Sequence, residues 1–476
     1  MIVEHIIRTV LVALYAYTIL SAISVILLEN RNPSKSLSWV LVLIFLPFVG
    51  LIIYLLLGQD FRKKKMISQK SIHRIKERPV ASIRLDMLNT DHMDEHFLKL
   101  TKLLYTNNES VGYAYNKIDV YSDPEEIFQT MFDAIRQAKK HIHIEFFIIE
   151  NDKISNQLRE ILIEKAKEGV RVRVIYDYLG SLNLTRHYIH SLKEAGIYVK
   201  PFLPFRLRFR RSRINYRNHR KLIIVDGLVG FTGGVNIADR YIFGDKLGKW
   251  RDTVVRIEGS GVHGIQQLFL IDWYFVEKKI ITDAKYFPTP KIYGENLIQF
   301  VASGPDTDWP AIKQGFASAI MAAEKYVYIH TPYFMPPELI EGALQLAAMS
   351  KVEVILMIPS RSDARFSDAG TFSYLGNVLE AGVRVFRYTG GFLHSKATVI
   401  DDFVSIIGSA NMDERSFEQN FEANAFIYDK KTALHVKELF LQDIKHCEEL
   451  TLDTWNNRKR SQKLTESLAR LFSPIM

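Results

Sequence analysis

His219-Arg220-Lys221-Leu222-Ile223-Ile224-Val225-Asp226 has a second copy in the chain, His394-Ser395-Lys396-Ala397-Thr398-Val399-Ile400-Asp401. Both fit the pattern H-x-K-x4-D, and their histidines lie 175 positions apart. The likeness continues downstream, where Gly233-Gly234-Val235-Asn236 follows the first copy and Gly408-Ser409-Ala410-Asn411 the second. On a strand, residues i and i+2 share a face, so each His and Lys is expected to point the same way. Each Asp stands where the apolar run stops, at Asp226-Gly227 and Asp401-Asp402, pairs suited to a hairpin turn.

One copy alone would be ordinary, a solvated strand edge ending in a turn former. Turn chemistry accounts for the aspartates and glycines. It does not account for the return of His, Lys and Asn at matching offsets. Two imidazoles, two ammoniums and two side-chain amides facing one another suit a phosphate diester. Lys221, Lys396, Asn236 and Asn411 would hold the non-bridging oxygens while one His attacks phosphorus and the other protonates the leaving oxygen.

Through these residues the chain resembles the phospholipase D superfamily, over roughly residues 111–450. With its N-terminus included it is similar to the bacterial cardiolipin synthases. Thr331-Pro332-Tyr333-Phe334-Met335-Pro336 carries that likeness, as does the segment from Ser38-Trp39-Val40 to Leu57-Gly58. The resemblance implies that His219, Lys221, Asp226, His394, Lys396 and Asp401 are catalytic, with the N-terminal motif supplying the nucleophile. A histidine that attacks or donates a proton needs one ring nitrogen held by a partner. The resemblance implies that Asp252, 16 residues after Asn236, orients His219, and that Glu422, 11 after Asn411, orients His394. Otherwise these acids pair with arginines such as Arg251 and Arg415. One departure from symmetry is visible: Ser409 stands where the first half has Gly234, so a substrate contact from its hydroxyl would be one-sided.

The rest of the chain agrees with a duplicated enzyme. Apolar content of 47% and charged content of 24% are globular values and exclude a disordered class. The single cysteine, Cys447, excludes an intrachain disulfide. No Cys/His pair stands at zinc spacing, and His141 and His143 lie on an expected strand without a third ligand, so neither metal nor other cofactor is expected. Strands at 118–121, 142–149 and 170–176 alternate with helices at 124–138 and 156–168. The second half repeats this with strands at 326–330, 352–358 and 383–388 and helices at 311–323, 337–348 and 371–381. That alternation predicts an α/β fold of mixed sheets flanked by helices, duplicated with a pseudo-twofold axis. The expected units are 116–290 and 291–476, with 59–115 a linker and cap that includes a helical patch around 96–104.

Residues 1–58 differ in kind. Val10–Leu28 and Trp39–Leu57 are uncharged stretches of 19 residues each. As helices each would be about 28 Å long, near the roughly 30 Å hydrocarbon core, which predicts a transmembrane hairpin. Arg62-Lys63-Lys64-Lys65 follows it, against Arg31 and Lys35 in the connection, so the catalytic halves are expected in the cytoplasm at the cell membrane. A second basic run, Arg206–Arg217, holds six arginines and no acid. These ten cations exceed the net charge of +9, so the basicity is two patches. Alternation of Arg with Leu, Phe, Ile and Tyr beside the first motif suits an anionic membrane surface. A nucleic-acid backbone would serve as well, but the hairpin favours lipid.

The expected activity is therefore phosphatidyl transfer, and the resemblance implies two phosphatidylglycerol molecules giving cardiolipin and glycerol. The alternatives are hydrolysis to phosphatidic acid by the same site, a membrane-tethered nuclease, and a non-catalytic binder of anionic headgroups.

Overall fold

The computed structural model describes residues 2–28, 33–46, 48–54, 74–75, 95–204, 215–294 and 296–472. The two copies of the motif build two equivalent hairpins. Leu222–Val225 and Ala397–Ile400 are buried throughout, as apolar runs covered on both faces must be. Each pairs antiparallel with the strand that follows, Val229–Gly233 or Val404–Gly408. The turns start with two left-handed residues each: Asp226 and Gly227 (φ 56° and 70°), and Asp401 and Asp402 (φ 52° and 57°). Asp tolerates this conformation better than most residues, which is why it closes both hairpins.

Fifteen strands join into one sheet. From the first half's edge the order is Tyr198–Phe202, Arg171–Asp177, His141–Phe146, Leu222–Val225, Val229–Gly233, Val254–Glu258 and Gly112–Tyr121. The second half follows in reverse, from Asn296–Ser303 through Glu422–Tyr428, Val404–Gly408, Ala397–Ile400, Tyr326–His330 and Glu353–Pro359 to Arg384–Tyr388, with Cys447–Leu450 as an extra edge. The halves meet where Gly112–Tyr121 runs antiparallel to Asn296–Ser303. A pseudo-twofold relation between them follows from that pairing. The outer three strands of each half are parallel and connected by helices, Lys153–Lys167 and Arg186–Glu194 in the first half and Glu338–Met349 and Arg365–Glu380 in the second.

The alternation read from sequence is present, with three differences. The strand expected at 118–121 starts at Gly112, because its early residues pair across the central join. His219 to Lys221 and His394 to Lys396 lie in extended segments just ahead of the sheet strands, not within them. The third difference concerns the apolar N-terminus. Ile2–Leu28 is a single helix, and its Ile2–Ser24 portion is long and apolar enough to cross a membrane. Trp39–Leu57 does not form a second helix of that length: Pro33–Phe45 ends, Phe48 takes φ 61°, and Val49–Ile53 begins again. In the sequence Pro47, itself outside the described residues, stands between the two pieces, and proline has no N–H to give a helix. The pieces do pack together, with Tyr15 and Phe48 rings 4.3 Å apart and Trp39 edge-on to Tyr54 at 5.4 Å. Arg62–Lys65 and residues 205–214 of the arginine run lie outside the described residues.

Candidate active site

Each histidine segment lies along the other half of the molecule. Phe392–Leu393 pairs parallel with Trp250–Arg251, and Asn218 bridges Phe421 in the same sense. Consequently the His394 N–H donates to the Arg251 carbonyl at 2.8 Å, and the His219 N–H to that of Phe421 at 2.9 Å. The residue after each carbonyl is an acid. Glu422 Oε1 lies 2.9 Å from His219 Nδ1, and Asp252 Oδ2 lies 2.6 Å from His394 Nδ1. The two acids expected from sequence both hold a histidine, but each holds the histidine of the opposite half. The cause is the parallel docking just described, which brings the acid-bearing strand ends across the twofold.

All four groups are buried. With Nδ1–H donated to a carboxylate, Nε2 keeps its lone pair, the form needed to attack or to accept a proton. Burial lowers His219 to about 4, with Glu422 opposing. Burial and then Lys396 push His394 well below its usual range. Burial lifts the Asp252 carboxyl to about 6. Burial would lift Glu422 as well, but His219 and Lys221 outweigh it and hold that carboxyl low. Lys221 and Lys396 each donate to the carbonyl of their own histidine. Burial lowers both, Lys396 to about 8. Glu422 and Asp252 offset part of that cost for both lysines.

The histidines open onto one cavity of about 660 Å³, which Asn236 and Asn411 also line. Asn236 accepts from the Ile148 N–H at 3.1 Å and donates to the Tyr241 hydroxyl at 2.8 Å. Asn411 helps hold Asp413, while its buried amide oxygen has no partner among the described residues. Aromatic rings that no sequence motif had marked fix the imidazoles. Phe147 meets His219 edge-on at 4.9 Å and lies under Lys221 at 5.5 Å, and Trp250 sits 5.2 Å from His394. The only sequence sign of Trp250 was its place two residues before Asp252.

Three expected site residues stand elsewhere. Asp226 accepts the N–H groups of Lys139, Lys140 and His141 at 2.7–2.8 Å, and Asp401 those of Glu324, Lys325 and Tyr326 at 2.6–2.9 Å. Both lie at the far end of the motif strand, where they tie the hairpin to the neighbouring strand's start, and neither lines the cavity. Ser409 is fully buried, and its hydroxyl donates to Glu422 rather than towards a substrate. Gly234 occupies the matching place because a Cβ there would come within 2.1 Å of Asp252 Oδ1. Replacing Asp226 with Ala should cost about 2 kcal/mol or more, since several backbone donors lose a charged acceptor. The melting temperature should fall while kcat per folded molecule is kept; a lost kcat at unchanged melting temperature would return Asp226 to the chemistry.

Behind the site, two arginines hold the acid-bearing backbone. Arg220 Nε donates to the Glu422 carbonyl at 3.1 Å and Nη1 to Asp272 at 2.6 Å. Arg251 Nη1 donates to the Asp252 carbonyl at 2.7 Å and Nε to Asp443 at 2.9 Å. Arg251 thus touches Asp252 at its backbone and leaves the carboxylate to His394. His141 and His143 are core residues that share Gln266 at 3.1 and 3.2 Å.

Comparison with known proteins shows the family. A family described as cardiolipin synthase, phospholipase D-like domain, matches residues 131–273 and 316–444, and one described as phospholipase D-nuclease N-terminal matches 16–59. A cardiolipin synthase of Halalkalibacterium halodurans is 40% identical over 95% of this chain and 91% of its own. The major cardiolipin synthase of Bacillus subtilis is 39% identical over 99% of this chain and 100% of its own. The fold is shared with the crystal structure of a phosphatidylserine synthase from Haemophilus influenzae, at TM-score 0.62 and 16% identity, over 79% of this chain and all of that one. Duplicated fold, paired motifs and near-complete alignment together place the chain in the cardiolipin synthase family of the phospholipase D superfamily.

Proposed function

We propose that this enzyme transfers a phosphatidyl group from one phosphatidylglycerol to another, through a phosphohistidine on His219. The observation that carries the chemistry is the pair of carboxylate-held imidazoles on one cavity. Relatives named as cardiolipin synthases over nearly the whole chain support the product. In the first step the negative charge of the bound phosphate favours a protonated His394; His219 Nε2 bonds to phosphorus, the bond from phosphorus to the glycerol oxygen breaks, and His394 gives that oxygen the Nε2 proton it carries. In the second, His394 takes the proton from the terminal hydroxyl of the next lipid. That oxygen attacks phosphorus, and the bond to His219 breaks. Lys221 and Lys396 hold the non-bridging oxygens throughout, with Asn236 and Asn411 as further donors at the cavity wall. Bond types made and broken are alike, so the reaction runs both ways. Detergent-purified protein given phosphatidylglycerol alone should yield cardiolipin and glycerol by mass spectrometry, and excess glycerol should convert cardiolipin back. Phosphatidic acid as the sole product would replace transfer with hydrolysis.

The helix Ile2–Leu28 and the packed, interrupted segment 33–54 support a hairpin that enters the membrane and returns. The four cations after it favour cytoplasmic catalytic halves. A reporter fused after Lys65 should read cytoplasmic and one inserted at Pro33 external. Cleavage of the catalytic halves by protease added to intact cells would refute this topology.

A further inference from the structure

Transfer between two lipids brings two phosphodiesters into one cleft, yet the paired motifs supply a set of donors that suits one. We propose that Arg217 and Arg415 form a second phosphate site, which holds the phosphodiester of the acceptor lipid. The inference rests on the transfer reading above.

The site shows itself as a break in the twofold symmetry. Arg217 precedes His219 by two residues in a segment held extended by Phe421, whose N–H donates to the Arg217 carbonyl at 2.8 Å. Residues two apart on an extended chain share a face about 6.6 Å apart, so Arg217 continues the row of His219. The matching residue ahead of His394 is Phe392, buried against Trp250 at 4.6 Å. Arg415 follows Asn411 by four residues, and its counterpart after Asn236 is Arg240. Arg240 is neutralised by Glu150 at 3.4 Å and lies over Trp250 at 5.2 Å. Arg415 instead donates to the Asn215 carbonyl at 3.0 Å. Arg217 and Arg415 both line the cavity. Among the described residues neither forms an ion pair with a carboxylate. The acid nearest in influence to Arg217, Asp177, already accepts the backbone N–H groups of Leu179, Gly180 and Asn218.

Arg217 and Arg415 repel each other in this half-buried place, and the acids that offset it, Asp177 and Asp413, are already held by backbone N–H groups. Burial, with Arg415 adding to it, lowers Arg217 to about 10. A bound anion removes that cost, and the planar fork of a guanidinium matches two phosphate oxygens at once. The donor lipid carries a single phosphate, and it must sit between the histidines to react. The remaining anion in the reaction is the acceptor's phosphate, joined to the attacking hydroxyl by a glycerol bridge short enough to stay in the same cavity. This holds whichever histidine carries the phosphoryl group.

The test compares two acceptors on the same phosphoenzyme. Phosphatidylglycerol vesicles are incubated with deuterated glycerol, and both cardiolipin and deuterated phosphatidylglycerol are measured. The two products share donor, histidines and intermediate, and only the lipid acceptor brings a phosphate. In the Arg217→Gln/Arg415→Gln protein the ratio of cardiolipin to exchanged phosphatidylglycerol should fall about tenfold or more, the loss expected for a charge-assisted hydrogen bond. The Arg217→Lys/Arg415→Lys protein should recover part of it. Misfolding lowers both products equally and leaves the ratio alone, so an unchanged or raised ratio overturns the second site. Wild-type protein that forms neither product overturns the transfer reading instead.

Discussion

A His219→Ala protein should form no phosphoenzyme from any substrate, whereas a His394→Ala protein should still do so when the leaving group needs no proton. This is the largest difference expected between the two halves. Removing a nucleophile removes the covalent path altogether. Removing an acid–base partner costs about 10²–10⁴-fold in rate and is masked when the leaving group departs unaided. With a phosphatidyl ester of a good leaving group, His394→Ala should therefore accumulate label on His219, because the second step still needs a base. The pair alone does not set this order, since both imidazoles are buried, carboxylate-held and pushed towards the neutral form. The proposed order rests on the arginine run ahead of His219 and on the superfamily resemblance. Label on His394 in the His219→Ala protein would reverse the roles, and label in both variants would mean that the halves exchange them.

The second large effect comes from the crossed acids. Glu422→Gln should disable His219, and Asp252→Asn should disable His394, each through loss of the carboxylate that fixes its imidazole's tautomer. In a Ser-His-Asp triad the comparable change costs about 10⁴-fold, so about 10²–10⁴-fold is expected here. The activated substrate separates the two variants. Glu422→Gln should fail to take up label, as the His219→Ala protein does, although Glu422 belongs to the other half. Asp252→Asn should take up label on His219 and discharge it slowly. The opposite assignment of phenotypes would mean that each acid serves its own half, against the contacts at 2.9 and 2.6 Å.

That crossing was not legible in the sequence, for a definite reason. The recurrence of His, Lys and Asn exposed the duplication and both histidines, and the acids followed at plausible offsets. Offsets run along the chain, however, and His219 and Glu422 are 203 residues apart. Nothing local records that Phe392–Leu393 docks on Trp250–Arg251. Asp226 and Asp401 misled because the motif that contains them reads as one chemical unit. Their place at a left-handed turn, visible in Asp226-Gly227, was the better guide to their work of tying strand ends. Ser409 misled likewise, since a hydroxyl at a motif's edge says nothing about which way it points. The interrupted second apolar stretch could have been read from Pro47. Arg217 and Arg415 differ from their counterparts only by comparison across the halves, which needs the register that the structure supplies.

The crossed pairing also bears on the time before the chain is complete. Synthesis runs from the N-terminus, and the apolar helix Ile2–Leu28 emerges before either catalytic half, so a growing chain could reach the lipid long before it is finished. At that stage His219 is present while Glu422, which fixes its ring, has yet to leave the ribosome. His394 and Lys396 are missing too. On the proposed assignment, a nascent or truncated chain would carry a disarmed nucleophile at the membrane, and the ability to cut phospholipid would arrive only once both halves have closed on each other.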